Sequence, residues 1–330
     1  MGEHFAKYAA DVADRFVPKD GLVVEIGSND GILLRSLIGR PLRILGIDPA
    51  ANVAETARSA GVPTEVDFFC KEIGQRIKKK HGEAHAVIAN NVFAHIDDLD
   101  SVMLGLDSLL ADNGVFVIET PYVVDFIENL EFDTVYHEHL SYHGIRALSA
   151  LFDRFGFEIF DVMRQDVHGG TVRIFVRKAR TGNPPVSPIV RELIGSETAK
   201  GIFDIKNLNA FAQNVASLKD NLCKLILELK ASGKKIAGYG APAKGNVLLN
   251  YCKLGPEHLD YLIDSTPAKQ GRANPGMHIP IKPPNVINTN RPDYILLLAW
   301  NHQREILAKE AAYRQGGGKF IIPIPKVKII

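Results

Sequence analysis

The segment VVEIGSNDG, residues 23–31, decides the fold of this 330-residue chain. Its apolar beginning predicts a strand over Leu22–Ile26, and its glycines predict a loop that leads into a helix over Gly31–Ile38. Such a unit places backbone N–H groups and a helix N-terminus at the carboxyl edge of a parallel sheet, where open α/β folds bind ligands. We therefore expect an α/β fold with a ligand site at this loop.

The composition indicates a folded protein with no electrostatic preference for polyanions. Apolar residues make up 46% of the chain, and 39 Lys and Arg against 38 Asp and Glu give a net charge of +1. This balance gives no reason to expect nucleic acid or a membrane as a partner. No apolar run approaches the roughly 20 residues of a membrane span and no signal peptide is recognised, so we expect a cytoplasmic protein. Three separate cysteines predict neither a disulfide framework nor a cysteine zinc cluster.

Short apolar runs alternate with helical stretches on both sides of a proline-rich stretch, TGNPPVSP. Before it, the pattern predicts a mainly parallel sheet that ends in an antiparallel hairpin of Phe157–Arg164 with Thr171–Ala179. After it, an apolar stripe along a long helix predicts a core or dimer face, and further strands and a helix over His302–Arg314 follow. We predict two α/β domains, 1–180 and 181–330, with a linker at 181–188 and the long helix at about 207–232.

The spacing of the first loop distinguishes between two nucleotide cofactors. A dinucleotide loop reads G-x-G-x-x-G, whereas Asn29 stands at the position of its second glycine. The acid and the two glycines that are present resemble the E/D-x-G-x-x-x-G loop of class I S-adenosylmethionine methyltransferases. An aspartate at the end of the second strand suits ribose hydroxyls in either case. We therefore expect S-adenosylmethionine rather than NAD, bound by Glu25, Gly27, Asn29, Gly31 and Asp48, with Phe68 near the adenine and Asn90 at the end of the fourth strand.

The segment FDTVYHEHLSY, residues 132–142, concentrates titratable side chains. An imidazole titrates near neutral pH and therefore suits proton abstraction. In an extended segment, His137 and His139 would share one face. Three interpretations stay open: a solvated polar loop, metal binding by the H-x-H pair with His143 or His168, and acid–base catalysis beside the cofactor. The position of the segment, after the strand that reaches the cofactor edge, favours catalysis.

A set of motifs in fixed order resembles bacterial sugar C-methyltransferases, which methylate nucleotide-linked keto-deoxysugars. The resemblance covers essentially the whole chain, and YHEH and GYGAPAKG are its most specific parts. The motifs are GSNDG (27–31), IDPA (47–50), NNVFAHIDD (90–98), FDTVYHEHLSY (132–142), HGGTVR (168–173), GYGAPAKGN (238–246), DSTPAKQG (264–271), PGMHIPI (275–281) and LLLAWN (296–301).

The resemblance implies a class I methyltransferase domain followed by a second Rossmann-like domain that holds the sugar nucleotide. It further implies methyl transfer from S-adenosylmethionine to the ring carbon beside a sugar ketone, through an enolate that a histidine generates. The implied catalytic residues are His139 as the general base, with Tyr136, Glu138 and His95. The implied substrate contacts are Asn91, His168, Tyr239, Lys244 and Asn301.

Two expectations follow from a departure from that family. Its members ordinarily begin with a cysteine-rich zinc module, for which this sequence has no counterpart, so we expect no metal ion in this chain. A second copy of the chain or another partner would then complete the sugar pocket. The alternatives to carbon methylation are an O- or N-methyltransferase for a sugar or small molecule, and a non-catalytic sugar-nucleotide-binding protein.

Overall fold

A computed structural model describes residues 2–165 and 169–330. These residues form two compact units. The first contains residues 2–123, 140–165 and 170–200, and the second contains 124–139, 169 and 201–330. The second unit thus includes a short segment from the middle of the chain. The proposed domain boundary at 181–188 remains a prediction.

The first unit is built on a seven-stranded sheet in which the order is β3-β2-β1-β4-β5-β7-β6. Strand β7 is antiparallel to both neighbours, and the other pairings are parallel. The apolar runs predicted the central strands because those strands are covered on both faces. The strands are β1 (Leu22–Ile26), β2 (Arg43–Ile47), β3 (Thr64–Glu65), β4 (Ala84–Asn90), β5 (Leu110–Pro121), β6 (Phe157–Gln165) and β7 (Thr171–Lys178).

Helices α1 to α7 precede α8 along the chain, and all of them except α5, which lies mostly in the second unit, belong to the first unit. The first helix buries Tyr8, Val12 and their neighbours in the core of the first unit, as its three- and four-residue spacing predicts. The helices are α1 (Gly2–Phe16), α2 (Ala51–Ser59), α3 (Lys71–His81), α4 (Leu99–Leu109), α5 (Val123–Glu128), α6 (Ile145–Asp153) and α7 (Pro188–Ala199).

The prediction of a helix over Gly31–Ile38 is wrong in type and length, because the regular part is a 3-10 helix over Leu34–Leu37. The hydroxyl of Ser36 donates to the carbonyl of Leu33, and the N–H of Ile38 donates to Arg35 three residues back. Gly39, at φ +86°, then ends the segment. A stretch this short between two left-handed glycines has no room for α-helical propagation.

The second unit has a six-stranded sheet in the order β10-β9-β8-β11-β12-β13. Only β13 is antiparallel to its neighbour, so the second α/β arrangement is confirmed. Its strands are β8 (Ile236–Tyr239), β9 (Leu262–Ile263), β10 (Ile281–Lys282), β11 (Tyr294–Leu297), β12 (Lys319–Ile322) and β13 (Lys328–Ile329). Its remaining helices are α8 (Ile205–Ala231), α9 (Ala243–Cys252), α10 (Val286–Thr289), α11 (Gln303–Lys309) and α12 (Ala311–Gln315).

The apolar spacing of the sequence predicted two helical regions of this unit with different success. Helix α8 buries Val215, Leu218, Leu222 and Ile226 in the core of the second unit, so part of its apolar stripe is a core face. The single helix predicted over His302–Arg314 is wrong, because Glu310 leaves the helical conformation between α11 and α12. No helix within the described residues has the length and apolar character needed to cross a membrane.

Candidate active site

The loop after β1 depends on left-handed backbone at three positions. Gly27 has a φ of +68°, Asn29 of +50° and Gly31 of +76°. A Cβ atom at Gly27 would lie 2.7 Å from Cγ2 of Val92, so any side chain there would displace the valine. The N–H groups of Gly27 and Ser28 both donate to the carbonyl of Ile47, at 2.8 and 3.1 Å. The loop is therefore fixed against the end of β2 before any ligand binds.

Asp48 joins this loop to the start of α2. Its Oδ2 accepts the N–H of Asn29 and its Oδ1 accepts the N–H of Ala50, both at 2.9 Å. A carboxylate offers about four lone-pair sites, so each oxygen keeps capacity for one further donor. Two neighbouring ribose hydroxyls are donors of the required kind.

Glu25 is a buried acid directly before the first glycine loop. It is 3% exposed, and its Oε2 is buried without a hydrogen-bond partner among the described residues. Burial raises its pKa well above the usual carboxyl range, and the charges of Asp30 and Asp48 raise it further. An orphaned buried acceptor beside a tight glycine loop fits a ligand that brings its own N–H or O–H donor. The loop thus fits S-adenosylmethionine, whose amino-acid part carries an ammonium group.

The third and fourth strands bring further predicted residues to the first unit's sheet edge. Phe68, predicted near the adenine, is 74% exposed. Asn91 has a φ of +53°, and its N–H donates to the carbonyl of Glu119 at 2.7 Å, while its amide lies 3.4 Å from Oδ1 of Asn90. His95 ends a 3-10 helix over Phe93–His95 and is exposed. Phe68 and His95 are exposed and Asn90 and Asn91 are half-buried, and all four stay predictions as ligand contacts.

A buried charged cluster of the first unit was missed by the sequence analysis. Glu119 on β5 faces Arg173 on β7, and Oε1 of Glu119 lies 2.6 Å from Nε2 of His4. The Arg173 guanidinium lies 3.6 Å from the centre of the Tyr8 ring. The sequence does contain a sign of this cluster, because each of two otherwise mainly apolar strands has one charged residue, Glu119 in VFVIET and Arg173 in TVRIFV.

The segment Tyr136–His139 lies in the second unit and is a turn, not the extended segment that was expected. The N–H of His139 donates to the carbonyl of Tyr136 at 3.0 Å, and the centres of their two rings are 4.2 Å apart. The side chains of His137 and Glu138 are 89% and 59% exposed. The turn therefore brings together positions one and four of YHEH and leaves the middle two in solvent.

The orientation of the His139 ring follows from one hydrogen bond. Its Nδ1 lies 2.6 Å from the carbonyl oxygen of Thr134. Because a carbonyl can only accept, Nδ1 carries the proton and Nε2 carries the lone pair of the neutral ring. Within the first unit, the next residue, Leu140, donates its N–H to the carbonyl of Ala94 at 2.9 Å.

The second glycine loop, after β8, is organised like the first. Asp264 accepts the N–H groups of Ala241 and Thr266, each at 2.8 Å, as Asp48 does in the first unit. Burial opposes ionisation of Asp264, but these hydrogen bonds and Lys269 outweigh it and hold its pKa below the usual range. Tyr239, a predicted substrate contact, donates its hydroxyl to Glu310 at 2.7 Å. That bond also holds Glu310 at the break between α11 and α12.

Lys244, the predicted diphosphate contact, lies among acidic and aromatic groups. Its Nζ is 4.4 Å from the centre of the Trp300 ring. Burial lowers its pKa, while Asp133 and Glu131 act in the opposite direction. Burial also raises the pKa of Asp133 to about 6 and that of Glu131 to about 7. Asn301 follows Trp300 in the 3-10 helix Trp300–His302, so it is the sequence neighbour of the residue whose ring Lys244 faces.

Two of the remaining predictions concern a further histidine and metals. His168 lies outside the described residues. Within 2–165 and 169–330, no group of three or more His, Cys, Asp and Glu side chains could hold a metal ion. His143, named in the metal interpretation, is instead buried beside Phe93, with Nε2 3.1 Å from the hydroxyl of Ser141.

The strand order, the single antiparallel strand and the acid–glycine loop together define a class I methyltransferase, for which S-adenosylmethionine is the methyl donor. A family model for a methyltransferase domain matches residues 1–162, and one for the C-methyltransferase C-terminal domain matches 166–325. The chain is 39% identical over 329 residues to C-methyltransferase NovU of Streptomyces niveus, covering 99% of this chain and 78% of that protein. The chain belongs to the C-methyltransferases. This membership sets aside the oxygen and nitrogen acceptors, the NAD alternative and a non-catalytic binding protein.

Solved structures of other methyltransferases resemble about half of the chain. One is a SAM-dependent methyltransferase from Anabaena variabilis, with a TM-score of 0.42, 14% identity, and coverage of 52% of this chain and 83% of that one. Another is the magnesium protoporphyrin IX methyltransferase of Synechocystis with bound SAH, with a TM-score of 0.42, 13% identity, and coverage of 53% and 83%.

Proposed function

We propose that this C-methyltransferase acts on the carbon beside the ketone of a nucleotide-linked 4-keto-deoxysugar, and that His139 is the general base. The observation that carries the proposal is the 2.6 Å hydrogen bond from Nδ1 of His139 to the Thr134 carbonyl. This bond assigns the lone pair to Nε2, which is the arrangement a neutral histidine needs to accept a proton. The sugar substrate rests on the resemblance of the YHEH and GYGAPAKG segments to sugar C-methyltransferases.

The chemistry requires a base because a C–H bond is not a nucleophile. A neighbouring ketone acidifies that bond, since the negative charge left by the proton moves onto oxygen as an enolate. In the proposed step, Nε2 of His139 takes the proton and the C–H electron pair becomes the enolate. The enolate carbon would then form a bond to the methyl group as the methyl–sulfur bond breaks and leaves its electron pair on sulfur, so the sugar carbon loses one proton and gains one methyl group.

The other residues of the proposed site hold the enolate oxygen and the base. Tyr136, with its ring against that of His139, and His95 are donors for the developing oxyanion. Burial raises the pKa of the Tyr136 hydroxyl, and Glu138 and Asp133 raise it further, so the group stays a donor at neutral pH. One preorganised donor of this kind is worth about 3–4 kcal/mol. Glu138 follows His137 in the turn, and its exposed carboxylate would contact the substrate and help to orient it.

The methyl donor site is assigned to the loop after β1 and to the strand ends beside it. When bound, S-adenosylmethionine supplies a methyl group on a positively charged sulfur. Glu25 would accept from its ammonium group and Asp48 from its ribose, while Phe68 would lie near the adenine. The glycines of the loop allow the chain to approach the ligand closely, and Asn29 and Asn90 complete the proposed contacts.

The sugar nucleotide is assigned to Asn91 and to the second unit. Lys244 is the proposed diphosphate contact because it stands in the first turn of α9, directly after the second glycine loop, where a cation and a helix N-terminus suit an anion. Asn301 and Tyr239 are proposed to bind polar parts of the nucleotide or sugar, and His168 belongs to the same set. These residues would align the sugar carbon with the methyl group, and holding two reactants in line can contribute about 7–11 kcal/mol.

The test is incubation of the enzyme with methyl-labelled S-adenosylmethionine and a panel of nucleotide-linked keto-sugars, followed by location of the label. We expect label on the carbon beside the ketone. His139→Ala should abolish both methylation and exchange of that carbon's hydrogen with solvent deuterium, while cofactor affinity is retained. His137→Ala, an exposed histidine of the same turn, is the matched control and should keep both activities. If His139→Ala exchanges this hydrogen at the wild-type rate, His139 is not the base.

A further inference from the structure

A hydrogen bond between two distant parts of the second unit holds the segment that precedes the proposed base. Nε1 of Trp300 donates to Oδ2 of Asp133 at 2.7 Å across 167 residues of sequence. Asp133 is fully buried and Trp300 is 8% exposed. Within the described residues, the other oxygen of Asp133 has no hydrogen-bond partner. Trp300 therefore supplies the hydrogen bond that fixes this carboxyl group.

Asp133 is the central residue of a 3-10 helix, Phe132–Thr134. The carbonyl of Thr134, the last residue of this helix, accepts the hydrogen bond from Nδ1–H of His139. A three-residue helix has little stability of its own, because each of its few hydrogen bonds spans only three residues. Its position in the unit must come from side chains that anchor it to other elements.

The side chains of this short helix supply two such anchors. The ring of Phe132 lies 5.2 Å from the ring of Tyr251 on α9, an apolar contact that is less directional than a hydrogen bond. The bond from Asp133 to Trp300 is directional and buried, so it fixes the rotation. The Trp300 ring is itself held on one face by Nζ of Lys244, 4.4 Å from its centre.

We infer that Asp133, held by Trp300, is the positioning residue of the proposed base: it fixes the Thr134 carbonyl, which orients the His139 ring and sets its tautomer. This inference rests on the proposed function of His139. It assigns to Asp133 no contact with substrate or cofactor. Trp300 thereby links the base to the connection after β11, where Asn301 is a proposed substrate contact.

The experiment measures hydrogen–deuterium exchange at the carbon beside the ketone of a nucleotide-linked 4-keto-deoxysugar in D2O, without a methyl donor. Trp300→Phe removes the N–H donor and keeps an aromatic ring. We expect exchange and kcat to fall about a hundredfold, as a shift of the order of 1 Å costs in an active site. KM for the sugar and S-adenosylmethionine affinity should change little, and the variant should remain folded, although the loss of a buried hydrogen bond lowers its thermal stability. Exchange within twofold of the wild-type rate would overturn the inference.

Two variants of Asp133 separate position from charge. Asp133→Asn keeps an oxygen acceptor for Trp300 without the charge, and we expect it to retain most of the exchange rate. Asp133→Ala should match Trp300→Phe, and the double variant Asp133→Ala/Trp300→Phe should be no slower than either, because both remove one bond. If Asp133→Asn is as slow as Asp133→Ala, the charge matters rather than the bond, and the inference fails.

A control and a reference variant complete the design. Tyr313→Phe removes a buried aromatic donor of the same unit, whose hydroxyl lies 3.2 Å from the Pro292 carbonyl, and should exchange at the wild-type rate. His139→Ala distinguishes the two levels of the argument. If His139→Ala still exchanges, the proposed function fails and the inference with it. If His139→Ala is inactive while Trp300→Phe and Asp133→Ala are fast, only the positioning role fails.

Discussion

Glu119 and Arg173 form a buried ion pair across neighbouring antiparallel strands, with Nη2 of Arg173 2.7 Å and Nε 2.9 Å from the same oxygen of Glu119. Glu119 is 1% exposed and Arg173 is 5% exposed. The other oxygen of Glu119 is bonded to His4 of α1, so both oxygens have partners. The pair therefore connects β5, β7 and the first helix at one end of the sheet.

Removing one partner of this pair should destabilise the protein strongly. Glu119→Ala leaves the Arg173 guanidinium buried without its counter-charge, which typically costs about 3–5 kcal/mol. Urea denaturation should therefore show a large drop in the free energy of unfolding. Asp11→Ala, which removes an exposed partner of Arg15 on α1, is the control and should cost less than about 1 kcal/mol. A drop for Glu119→Ala as small as that of the control would contradict a stabilising role for the buried pair.

Gly27→Ala should reduce the affinity for S-adenosylmethionine because the added methyl group would clash with Val92 and shift the loop. The added Cβ would lie 2.7 Å from Val92, and φ of +68° is strained for alanine. Gly39→Ala is the matched control, since Gly39 has a φ of +86° with nothing within 4 Å of its added Cβ. Both substitutions should lower the free energy of unfolding by about 1–2 kcal/mol, because alanine is strained in left-handed backbone. Only Gly27→Ala should bind S-adenosylmethionine more weakly, as measured by calorimetry. Equal affinities in the two variants would show that the loop tolerates the contact.

The strands and the first loop could be predicted because their signals are local. Leu22–Ile26 is an uninterrupted apolar run, and the structure has the strand at those residues. Glu25, Gly27 and Asp48 were named from the strand–loop pattern and its resemblance to a methyltransferase loop, and the hydrogen-bond partners of Asp48 lie within 20 residues of it. Local patterns of this kind depend on backbone periodicity and close packing, which neighbouring residues already specify.

The buried polar contacts could not be predicted because their partners are distant in sequence. Glu197 on α7 accepts the N–H groups of Ile145 and Arg146, at 2.6 and 2.9 Å, and so caps α6 from about 50 residues away. Asp133 and Trp300 are 167 residues apart. The turn at YHEH was also missed, because its alternating pattern is equally compatible with a strand. For Glu197 and for Asp133 with Trp300, tertiary contacts decide the outcome, and sequence spacing carries no trace of them.

Glu25→Gln should stabilise the ligand-free protein at neutral pH. The pKa of Glu25 is raised by burial, so the folded state binds its proton more tightly than the unfolded state does. Stability from this group is therefore present below the unfolded carboxyl pKa of about 4.3 and is lost as pH rises above it. The difference in unfolding free energy between variant and wild type should grow from pH 4 upward. The same variant should bind S-adenosylmethionine more weakly, because an amide oxygen replaces a carboxylate opposite the ammonium group.

His143→Gln should change how stability responds to acid. Burial lowers the pKa of His143 to about 4, whereas the unfolded histidine titrates near 6.5. The folded state therefore binds fewer protons in this window, and the contribution of His143 falls as pH drops from about 6.5 to 4, by about 3 kcal/mol in all. Glu131 and Asp133, whose pKa values burial raises, act in the opposite direction, so wild-type stability alone does not isolate the effect.

The informative quantity is the difference in unfolding free energy between His143→Gln and wild type, measured from pH 7.5 to 4 by urea denaturation. Loss of packing against Phe93 lowers the stability of the variant at every pH. The deficit should shrink toward pH 4, because the variant has no proton to bind there. A deficit that stays constant over this range would mean that His143 has the same pKa in the folded and the unfolded protein, which would contradict the lowering by burial.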